Sequence, residues 1–362
     1  MIRPITFGIV GAGWRAEFYF RIARALPDRF HVAGCLARTE AARARINAEW
    51  NIRVVETLDE LLQEHLDFVV TSVPWVASPP LLIELTTRGV PVLAETPPAP
   101  DLEGLIQLRK HLPKNARIQV AEQYPFQPLH AARLALARSG KLGEVNQAQV
   151  SVAHGYHGIA LIRRFLEVGY SNAAVQAFEF GSPLIAGPNR TGPPREERQV
   201  ESAQLVAHLH FGHKLGIFDF TADQYFSWIR SQRLLIRGER GEINNLDASY
   251  LADFRTPMTI RFERQDSGES GNLEGYYHKG YTAGGNWLYQ NPFIPGRLAD
   301  DEIAIATCLH LMAHYLQTGE SFYDLGEASQ DHYLGLMIGE AARTGQRLET
   351  SSQIWCPAGQ PS

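Results

Sequence analysis

The sequence has few cysteines, no long apolar run and no excess of positive charge. Its three cysteines, Cys35, Cys308 and Cys356, are far apart and lack Cys-x-x-Cys spacing, so neither a disulfide framework nor a zinc site is expected. No apolar run approaches the roughly 18 residues of a membrane span. The net charge is −5, and lysines and arginines are scattered. We therefore expect a cytoplasmic protein with a small-molecule substrate, and with no metal, membrane or nucleic-acid partner.

An apolar segment near the start of the chain leads into a glycine turn. Residues 5–10 run into a Gly-x-Gly-x-x-Ala pattern that opens a helical pattern. Gly11 permits the tight turn, Gly13 the close approach of a pyrophosphate, and Ala16 the packing of the helix on the sheet. Backbone N–H groups at the helix N-terminus bind phosphate. The pattern predicts a dinucleotide held by Gly11, Ala12, Gly13, Trp14 and Arg15.

The 362 residues are enough for two domains. In the first part of the chain, helical patterns at 58–65 and 79–88 alternate with apolar runs at 31–36, 53–55, 68–71, 90–94 and 117–121. This alternation predicts a parallel, doubly wound Rossmann sheet. The proline-containing stretch from Gln123 to Pro128 breaks the pattern, so the nucleotide-binding domain is expected to span residues 1–123.

Residues 124–362 show a different pattern and are expected to form the substrate-binding and oligomerisation domain. Helical patterns at 129–139, 300–319 and 326–344 accompany period-two stretches at 145–152, 174–180, 203–211, 215–221 and 234–237. The pattern predicts an α+β domain with a large, mostly antiparallel sheet. Residues 188–198 and the glycine-rich residues 267–285 are predicted to be exposed loops.

The Rossmann start, the Gly-Lys-Leu-Gly-Glu connector at 140–144 and His157 at a helix entry resemble the glucose-fructose oxidoreductase and inositol dehydrogenase family (Gfo/Idh/MocA). The resemblance covers nearly the whole chain. It implies a nucleotide domain followed by an open-faced sheet, and NAD or NADP as cofactor. It also implies oxidation or reduction of a sugar, polyol or related carbohydrate, and a homodimer or homotetramer formed through the exposed sheet.

Two positions depart from that family's catalytic pattern. Its Glu-Lys-Pro motif falls at Glu95-Thr96-Pro97, so Thr96 stands where relatives have a lysine near the nicotinamide and the reacting carbinol. Its Asp-x-Gly-x-His pattern corresponds to residues 153–157, where Ala153 replaces the aspartate. The loss of both groups puts the usual chemistry in question.

The histidine of that pattern is retained as His157. The resemblance makes His157 the acid/base candidate, because an imidazole can accept a hydroxyl proton near neutral pH. Tyr156 and His154 flank it and complete the predicted catalytic set. Arg163 matches an arginine common in the same helix of relatives, but an exposed or ion-paired arginine is the ordinary interpretation, so we assign it no catalytic role.

The end of the second predicted strand bears on the choice of cofactor. Ala37 stands where NAD-binding relatives tend to have an aspartate for the ribose diol. Arg38 and Thr39 can instead bind a 2′-phosphate, which favours NADP over NAD. The alternative is that Arg38 stacks on adenine or points into solvent.

Further cofactor-binding candidates follow other strands, because ligands of an open α/β sheet bind beyond the carboxyl ends of its strands. These candidates are Ser72, Val73, Pro74, Glu95, Thr96 and Gln123. Among relatives, a polar group at the position of Gln123 often lies near the nicotinamide. His208, His210 and His213 have no nearby carboxylate or cysteine, so we expect a surface or subunit contact there, not a metal site.

Three functions remain open at this point. The first is an NAD(P)-dependent oxidoreductase with His157 as acid/base. The second is redox-assisted glycoside cleavage or elimination, in which a tightly held NAD is regenerated within each turnover. The third is a nucleotide-sensing regulator without catalysis, which the replacements at Thr96 and Ala153 would favour.

Overall fold

The computed structural model describes residues 3–268 and 275–357. The chain forms two compact units. Unit 1 comprises Met1–His130, Arg264–Gly280 and Gln290–Ser329, and unit 2 comprises Ala131–Glu263, Tyr281–Tyr289 and Gln330–Ser362. Each unit thus contains segments from distant parts of the sequence. The domain boundary expected after residue 123 stays a prediction.

Unit 1 contains a parallel six-stranded sheet with strand order β3-β2-β1-β4-β5-β6. Its strands are β1 (Ile5–Val10), β2 (Phe30–Leu36), β3 (Val54–Val55), β4 (Phe68–Thr71), β5 (Val92–Ala94) and β6 (Ile118–Val120). The intervening helices are α1 (Ala16–Ala25), α2 (Glu40–Trp50), α3 (Leu58–Leu62), α4 (Ser78–Thr87) and α5 (Leu102–His111). The predicted doubly wound sheet is confirmed.

The core of unit 1 forms because its strands are apolar and the first helix is amphipathic. Phe7 on β1 is fully buried and stacks on Phe68 of β4, with ring centroids 5.7 Å apart. Helix α1 turns Tyr19, Phe20 and Ile22 toward the core. Burial of such side chains contributes roughly 1.5–3 kcal/mol each. This packing holds β1 and α1, the two elements that the loop of residues 11–15 connects.

Unit 2 contains a nine-stranded sheet with order β14-β13-β12-β11-β7-β10-β9-β8-β18. Neighbouring strands are antiparallel except β7 and β10, which are parallel. The strands are β7 (Val145–Ser151), β8 (Ala174–Ile185), β9 (Gln199–Phe211), β10 (Lys214–Thr221), β11 (Arg233–Gly238), β12 (Gly241–Asn244), β13 (Asp247–Leu251), β14 (Pro257–Arg261) and β18 (Leu348–Glu349). The predicted fold class is therefore confirmed for both sheets.

Helix α7 (Gly155–Leu166) packs directly on strand β10 of this sheet. A Cβ atom at Gly158 would lie 2.7 Å from the ring of Phe218, and one at Gly216 would lie 2.7 Å from Ile162. Glycine at these two positions thus permits the close approach of helix and strand.

The remaining elements are α6 (Pro128–Arg138), α8 (Asp300–Thr318), α9 (Leu325–Thr344) and a three-stranded sheet of β15 (Glu263–Ser267), β16 (Tyr277–Ala283) and β17 (Asn286–Gln290). The prediction of a loop over residues 267–285 is wrong for β16, because alternating buried side chains outweigh the glycines there. Residues 269–274 of that stretch lie outside the described residues. Along the described chain, no helix is both long and apolar enough to cross a membrane.

Candidate functional site

The glycine turn of unit 1 has the geometry that its sequence predicts. Gly11 has a φ of +119°, and a Cβ atom there would lie 1.9 Å from the carbonyl oxygen of Ser72. A Cβ atom at Gly13 would meet no atom within 4 Å, so open space lies beside its backbone. Ala16 is fully buried, and its N–H donates to the Gly13 carbonyl at 2.9 Å. The turn is closed on the protein side at Gly11 and open on the ligand side at Gly13.

A contact that the sequence does not reveal braces this turn. Arg45 on α2 donates from Nη2 to the carbonyl oxygen of Ala12 at 2.9 Å and from Nη1 to Glu17 at 2.6 Å. Arg45 follows Ala12 by 33 residues, and no local pattern links the two. Trp14 on the same turn is half exposed and packs edge-on against Phe18. The turn is therefore held from α2 while Trp14 stays accessible.

Three predicted site residues from distant parts of the sequence meet at the strand ends. Arg15 donates from Nε to Oε1 of Glu95 at 2.7 Å and from Nη2 to Oε1 of Gln123 at 2.9 Å. Glu95 directly follows β5, and Gln123 comes shortly after β6. Tyr19 donates its hydroxyl to the same Glu95 oxygen at 2.5 Å. The sequence analysis missed Tyr19, although it lies one helical turn after Arg15.

The protonation states of this cluster follow from its burial and charges. Burial opposes the charge of Arg15, but Glu95, with Tyr19 and Asp301, holds the Arg15 pKa above its usual value. Burial raises the pKa of Tyr19, and the Glu95 carboxylate raises it further. Burial also raises the pKa of the Cys308 thiol. Arg15 is therefore a permanent cation, and Tyr19 and Cys308 are neutral.

The end of β2 presents basic and polar groups to solvent. Ala37 is buried, whereas Arg38 and Thr39 are exposed. The Thr39 hydroxyl caps α2 by accepting from the N–H of Ala42 at 3.3 Å. Arg43, which the sequence analysis did not single out, donates to the carbonyl oxygens of Ala37 and Arg38. Arg38 is thus an exposed arginine just beyond the end of β2.

The end of β4 holds a polar group that the sequence analysis also missed. Thr71 is 1% exposed, and within the described residues its hydroxyl has no hydrogen-bond partner. Ser72 follows it and donates its backbone N–H to the carbonyl of Val10 at 2.8 Å. Val73 and Pro74 continue into an exposed short 3₁₀ helix, and Thr96 is half-buried beside Glu95. An unsatisfied buried hydroxyl is unusual in a native structure and is commonly explained by a ligand or water.

A second cluster lies in unit 2, where α7 begins. The predicted residues His154, Tyr156 and His157 lie together, with ring centroids 5.0 Å apart for the two histidines and 4.5 Å apart for Tyr156 and His157. His157 is 6% exposed and Ala153 is fully buried. His332 on α9 packs edge-on against Tyr156 at 5.7 Å. The structure thus brings the three predicted catalytic side chains into one aromatic cluster.

Tyr225 is an additional member of this cluster that sequence reasoning missed. Its oxygen accepts the backbone N–H of His154 at 3.1 Å and lies 2.6 Å from Nδ1 of the same residue. Nε2 of His154 lies 3.3 Å from the Tyr156 hydroxyl. His154 is exposed as a residue, but the partial desolvation of its ring in this cluster, with His157 nearby, lowers its pKa to about 4. His154 is therefore neutral at physiological pH.

Arg163 lies farther along α7 and is 4% exposed. It donates to Asp331 at 2.5 Å and to the carbonyl oxygen of Gly169 at 2.9 and 2.7 Å. The side chains of Arg163 and Asp331 are only 3% and 2% exposed. This ion pair ties α7 to α9 and accounts for Arg163 structurally.

The histidines of β9 and its following turn do not form a metal-binding group. His208 and His210 have ring centroids 6.4 Å apart, and His213 lies 3.1 Å from a carboxylate oxygen of Glu144. Across residues 3–268 and 275–357, no three histidine, cysteine or acidic side chains are grouped so as to hold a metal ion.

Comparisons with known proteins connect this geometry to a family. Residues 5–123 match the model of the oxidoreductase family with an NAD-binding Rossmann fold, Gfo/Idh/MocA. Inositol 2-dehydrogenase of Corynebacterium glutamicum (strain R) is 27% identical over 150 residues, which are 40% of this chain and 44% of that protein. The match thus spans less than half the length of this curated relative.

Solved structures share the fold over nearly the whole chain. A levoglucosan dehydrogenase in complex with NADH and levoglucosan superposes with a TM-score of 0.67 at 12% identity, covering 96% of this chain and 99% of that one. A myo-inositol dehydrogenase from Corynebacterium glutamicum ATCC 13032 gives a TM-score of 0.64 at 17% identity, with the same coverage of 96% and 99%. These likenesses establish the fold. Residues 5–123 are thus similar to the Gfo/Idh/MocA oxidoreductase family with an NAD-binding Rossmann fold.

Proposed function

We propose that this protein is an NAD(P)-dependent oxidoreductase that acts on a sugar, polyol or related carbohydrate. The observation that carries the proposal is the glycine turn, which is closed by Ser72 at Gly11 and open at Gly13. The turn lies where strand order reverses between β1 and β4, the position at which doubly wound sheets bind dinucleotides. The matched relatives carry the names inositol 2-dehydrogenase and levoglucosan dehydrogenase, which supports a polyhydroxylated substrate.

The residues of unit 1 fit a nicotinamide dinucleotide. The backbone from Gly11 to Arg15 would hold the pyrophosphate at the N-terminus of α1. Arg38 and Thr39 would face the adenosine ribose, and the exposed guanidinium of Arg38 supports NADP over NAD. The residues that would line the rest of the nucleotide are Ser72, Val73, Pro74, Glu95, Thr96 and Gln123. The unsatisfied hydroxyl of Thr71 supports a ligand near these strand ends.

When bound, the nucleotide supplies a hydride acceptor or donor at its nicotinamide ring. In alcohol oxidation, the bound nucleotide would accept the hydrogen and electron pair of the carbinol C–H bond as hydride. The O–H bond breaks, its proton passes to the His157 imidazole, and a carbon–oxygen double bond forms. Because His154 is neutral, it does not oppose the positive charge that His157 gains. Tyr156 and His154 orient the His157 ring within the cluster.

The first experiment is a titration of the protein with NAD, NADH, NADP and NADPH, followed by a sugar and polyol panel monitored at the reduced-nicotinamide absorbance. A steady absorbance change supports the dehydrogenase. Product formation without net absorbance change indicates redox-assisted cleavage or elimination instead. Tight nucleotide binding without turnover on any panel member indicates the regulator, for which the uncharged Thr96 and Ala153 are the supporting residues.

The role of His157 has its own test. His157→Ala is expected to abolish turnover, because no imidazole remains to take the hydroxyl proton, while nucleotide affinity stays within a few-fold of wild type. His213→Ala is the matched control, since His213 is exposed and pairs with Glu144. Steady-state kinetics and calorimetric titration measure the two quantities. Retained turnover in His157→Ala would remove this residue from the mechanism.

We further propose that two or more copies of the chain associate through the open face of the nine-stranded sheet. Phe178 and Phe180 on β8 are 57% and 55% exposed. Phe178 lies opposite Val206 on the neighbouring strand β9, and Val206 lies opposite Asp219 on β10. Exposed apolar side chains grouped on one sheet face mark an association surface. A homodimer or homotetramer would bury them, and we place the assembly in the cytoplasm.

A further inference from the structure

The two halves of the unit 1 sheet have different tasks in nucleotide binding. In doubly wound folds of this strand order, each half of the sheet binds one mononucleotide, and the ribose nearest β2 belongs to adenosine. Arg38 at the end of β2 is therefore on the adenosine side. The ends of β5 and β6, which carry Glu95 and Gln123, are on the side of the other nucleotide, the nicotinamide.

Arg15 belongs to the first half by sequence but reaches the second half with its side chain. Its guanidinium contacts Glu95 at 2.7 Å and Gln123 at 2.9 Å. The Arg15 and Glu95 side chains are 16% and 12% exposed, so this ion pair is largely withdrawn from solvent. Tyr19 donates its hydroxyl to Glu95 at 2.5 Å. The guanidinium is thus fixed at the nicotinamide side of the sheet.

The Arg15 guanidinium retains N–H groups that can donate to a ligand. A guanidinium has five N–H groups, of which one on Nε and one on Nη2 are used by Glu95 and Gln123. Among the residues that the structure describes, no acceptor engages the others. Thr96, which follows Glu95, contributes no charge. The cation at these strand ends is therefore supplied by the glycine turn.

A fixed positive charge has two effects at such a place. The oxidised nicotinamide ring is positively charged and the reduced ring is neutral, so a nearby cation disfavours the oxidised form. A carbonyl oxygen that gains negative charge in hydride transfer is stabilised by the same cation. Because arginine stays protonated, both effects come from its fixed positive charge and not from proton transfer. Glu95 offsets part of the charge, and its removal would strengthen both effects.

We propose that Arg15 is the electrostatic residue of the reacting end of this site, where its guanidinium favours the reduced nicotinamide nucleotide and binds the substrate oxygen. The inference rests on the proposed nicotinamide-dependent function. It goes beyond that function, because it assigns to the glycine turn a side-chain role in addition to phosphate binding. It also assigns Glu95 and Gln123 to holding this cation in place.

The test compares the dissociation constants of NAD and NADH, or of NADP and NADPH if those bind, in three variants by calorimetric titration. Arg15→Gln is expected to shift the ratio about tenfold toward the oxidised form, since Glu95 is left unopposed, and tenfold corresponds to about 1.4 kcal/mol. Glu95→Gln is expected to shift it in the opposite direction. Arg109→Gln, an exposed arginine near the end of α5, is the matched control and should leave the ratio unchanged.

The outcomes distinguish a failure of the role of Arg15 from a failure of the nicotinamide-dependent function. Opposite shifts in Arg15→Gln and Glu95→Gln support it. An unchanged ratio in either folded variant, with both nucleotide forms still bound, overturns the role of Arg15 alone. If Arg15→Gln fails to fold by circular dichroism, the direction of the Glu95→Gln shift decides. If the wild-type protein binds neither form, the nicotinamide-dependent function fails and this inference fails with it.

Discussion

Replacing Asp331 with asparagine removes the charge that neutralises Arg163 and keeps the shape of the side chain. The two side chains are 3% and 2% exposed, and Nη1 lies 2.5 Å from Oδ1. Since both side chains are buried, the guanidinium loses this carboxylate partner inside unit 2 with little solvent to replace it. Leaving one partner of a buried ion pair unpaired costs about 3–5 kcal/mol. Domain stabilities are about 5–15 kcal/mol, so this loss is a large share.

The same structure predicts an order among the variants of this pair. Arg163→Met also loses the bonds to the Gly169 carbonyl, and hydrogen bonds of charged groups contribute about 1.5–3 kcal/mol. It is therefore expected to be at least as destabilised as Asp331→Asn. The double variant Arg163→Met with Asp331→Leu buries no charge and is expected to be more stable than Arg163→Met alone.

Urea unfolding followed by far-ultraviolet circular dichroism at pH 7.5 gives the free energy of unfolding of each variant. The pair Glu340 and Arg343 on the exposed surface of α9 provides the control, and Glu340→Gln is expected to leave stability unchanged. The reasoning is refuted if Asp331→Asn falls within about 1 kcal/mol of wild type. It is also refuted if the double variant is less stable than Arg163→Met alone, because the unpaired buried charge would then not be the source of the effect.

Three further predictions concern the turn, the open sheet face and the histidine cluster. Gly11→Ala should abolish nucleotide binding and lower stability by more than about 2 kcal/mol, because its Cβ meets the Ser72 carbonyl. Gly13→Ala should leave the melting temperature unchanged and still weaken nucleotide binding at least tenfold in titration; equal effects of both variants would contradict this. Phe178→Glu should reduce the molar mass measured by light scattering to that of a smaller assembly, and an unchanged mass would exclude this face. The His154 imidazole should titrate at about 4 by NMR, since burial disfavours its charged form; it is then neutral above that pH, and a midpoint near 6.5 would contradict its placement.

The sequence predicted most of the nucleotide half because the relevant signals are local. The Gly-x-Gly-x-x-Ala pattern, the apolar runs and their alternation with helices all lie within short windows, and β4 was placed at the residues observed. The loop prediction over residues 267–285 was wrong at β16, where glycine frequency was a weaker guide than the alternation of buried side chains. Helix α3 ends at Leu62, three residues before the predicted end at His65.

The residues of the candidate sites likewise include some that local sequence identifies and others that only tertiary contacts reveal. Gly11 was identified correctly as a turn residue because its positive φ and its approach to Ser72 exclude a side chain there, whereas the structure leaves open space beside Gly13. The partners of the other candidates, such as Tyr225 for His154 and Arg45 for Ala12, come from segments far along the chain. No periodicity or spacing encodes such pairs, so they could not be predicted. The catalytic assignment of His157 still rests on resemblance.

The sequence by itself determined the fold class, the position of the glycine turn and the set of polar residues that follow the strands. It did so because turn geometry, hydrophobic periodicity and strand ends depend on neighbouring residues. Only the tertiary structure decided that the guanidinium of Arg15 lies against Glu95 and Gln123. Parallel strands distant in sequence end side by side at one edge of a sheet. Arg15, which follows β1, therefore brings a positive charge to the end of β5, where Thr96 has none.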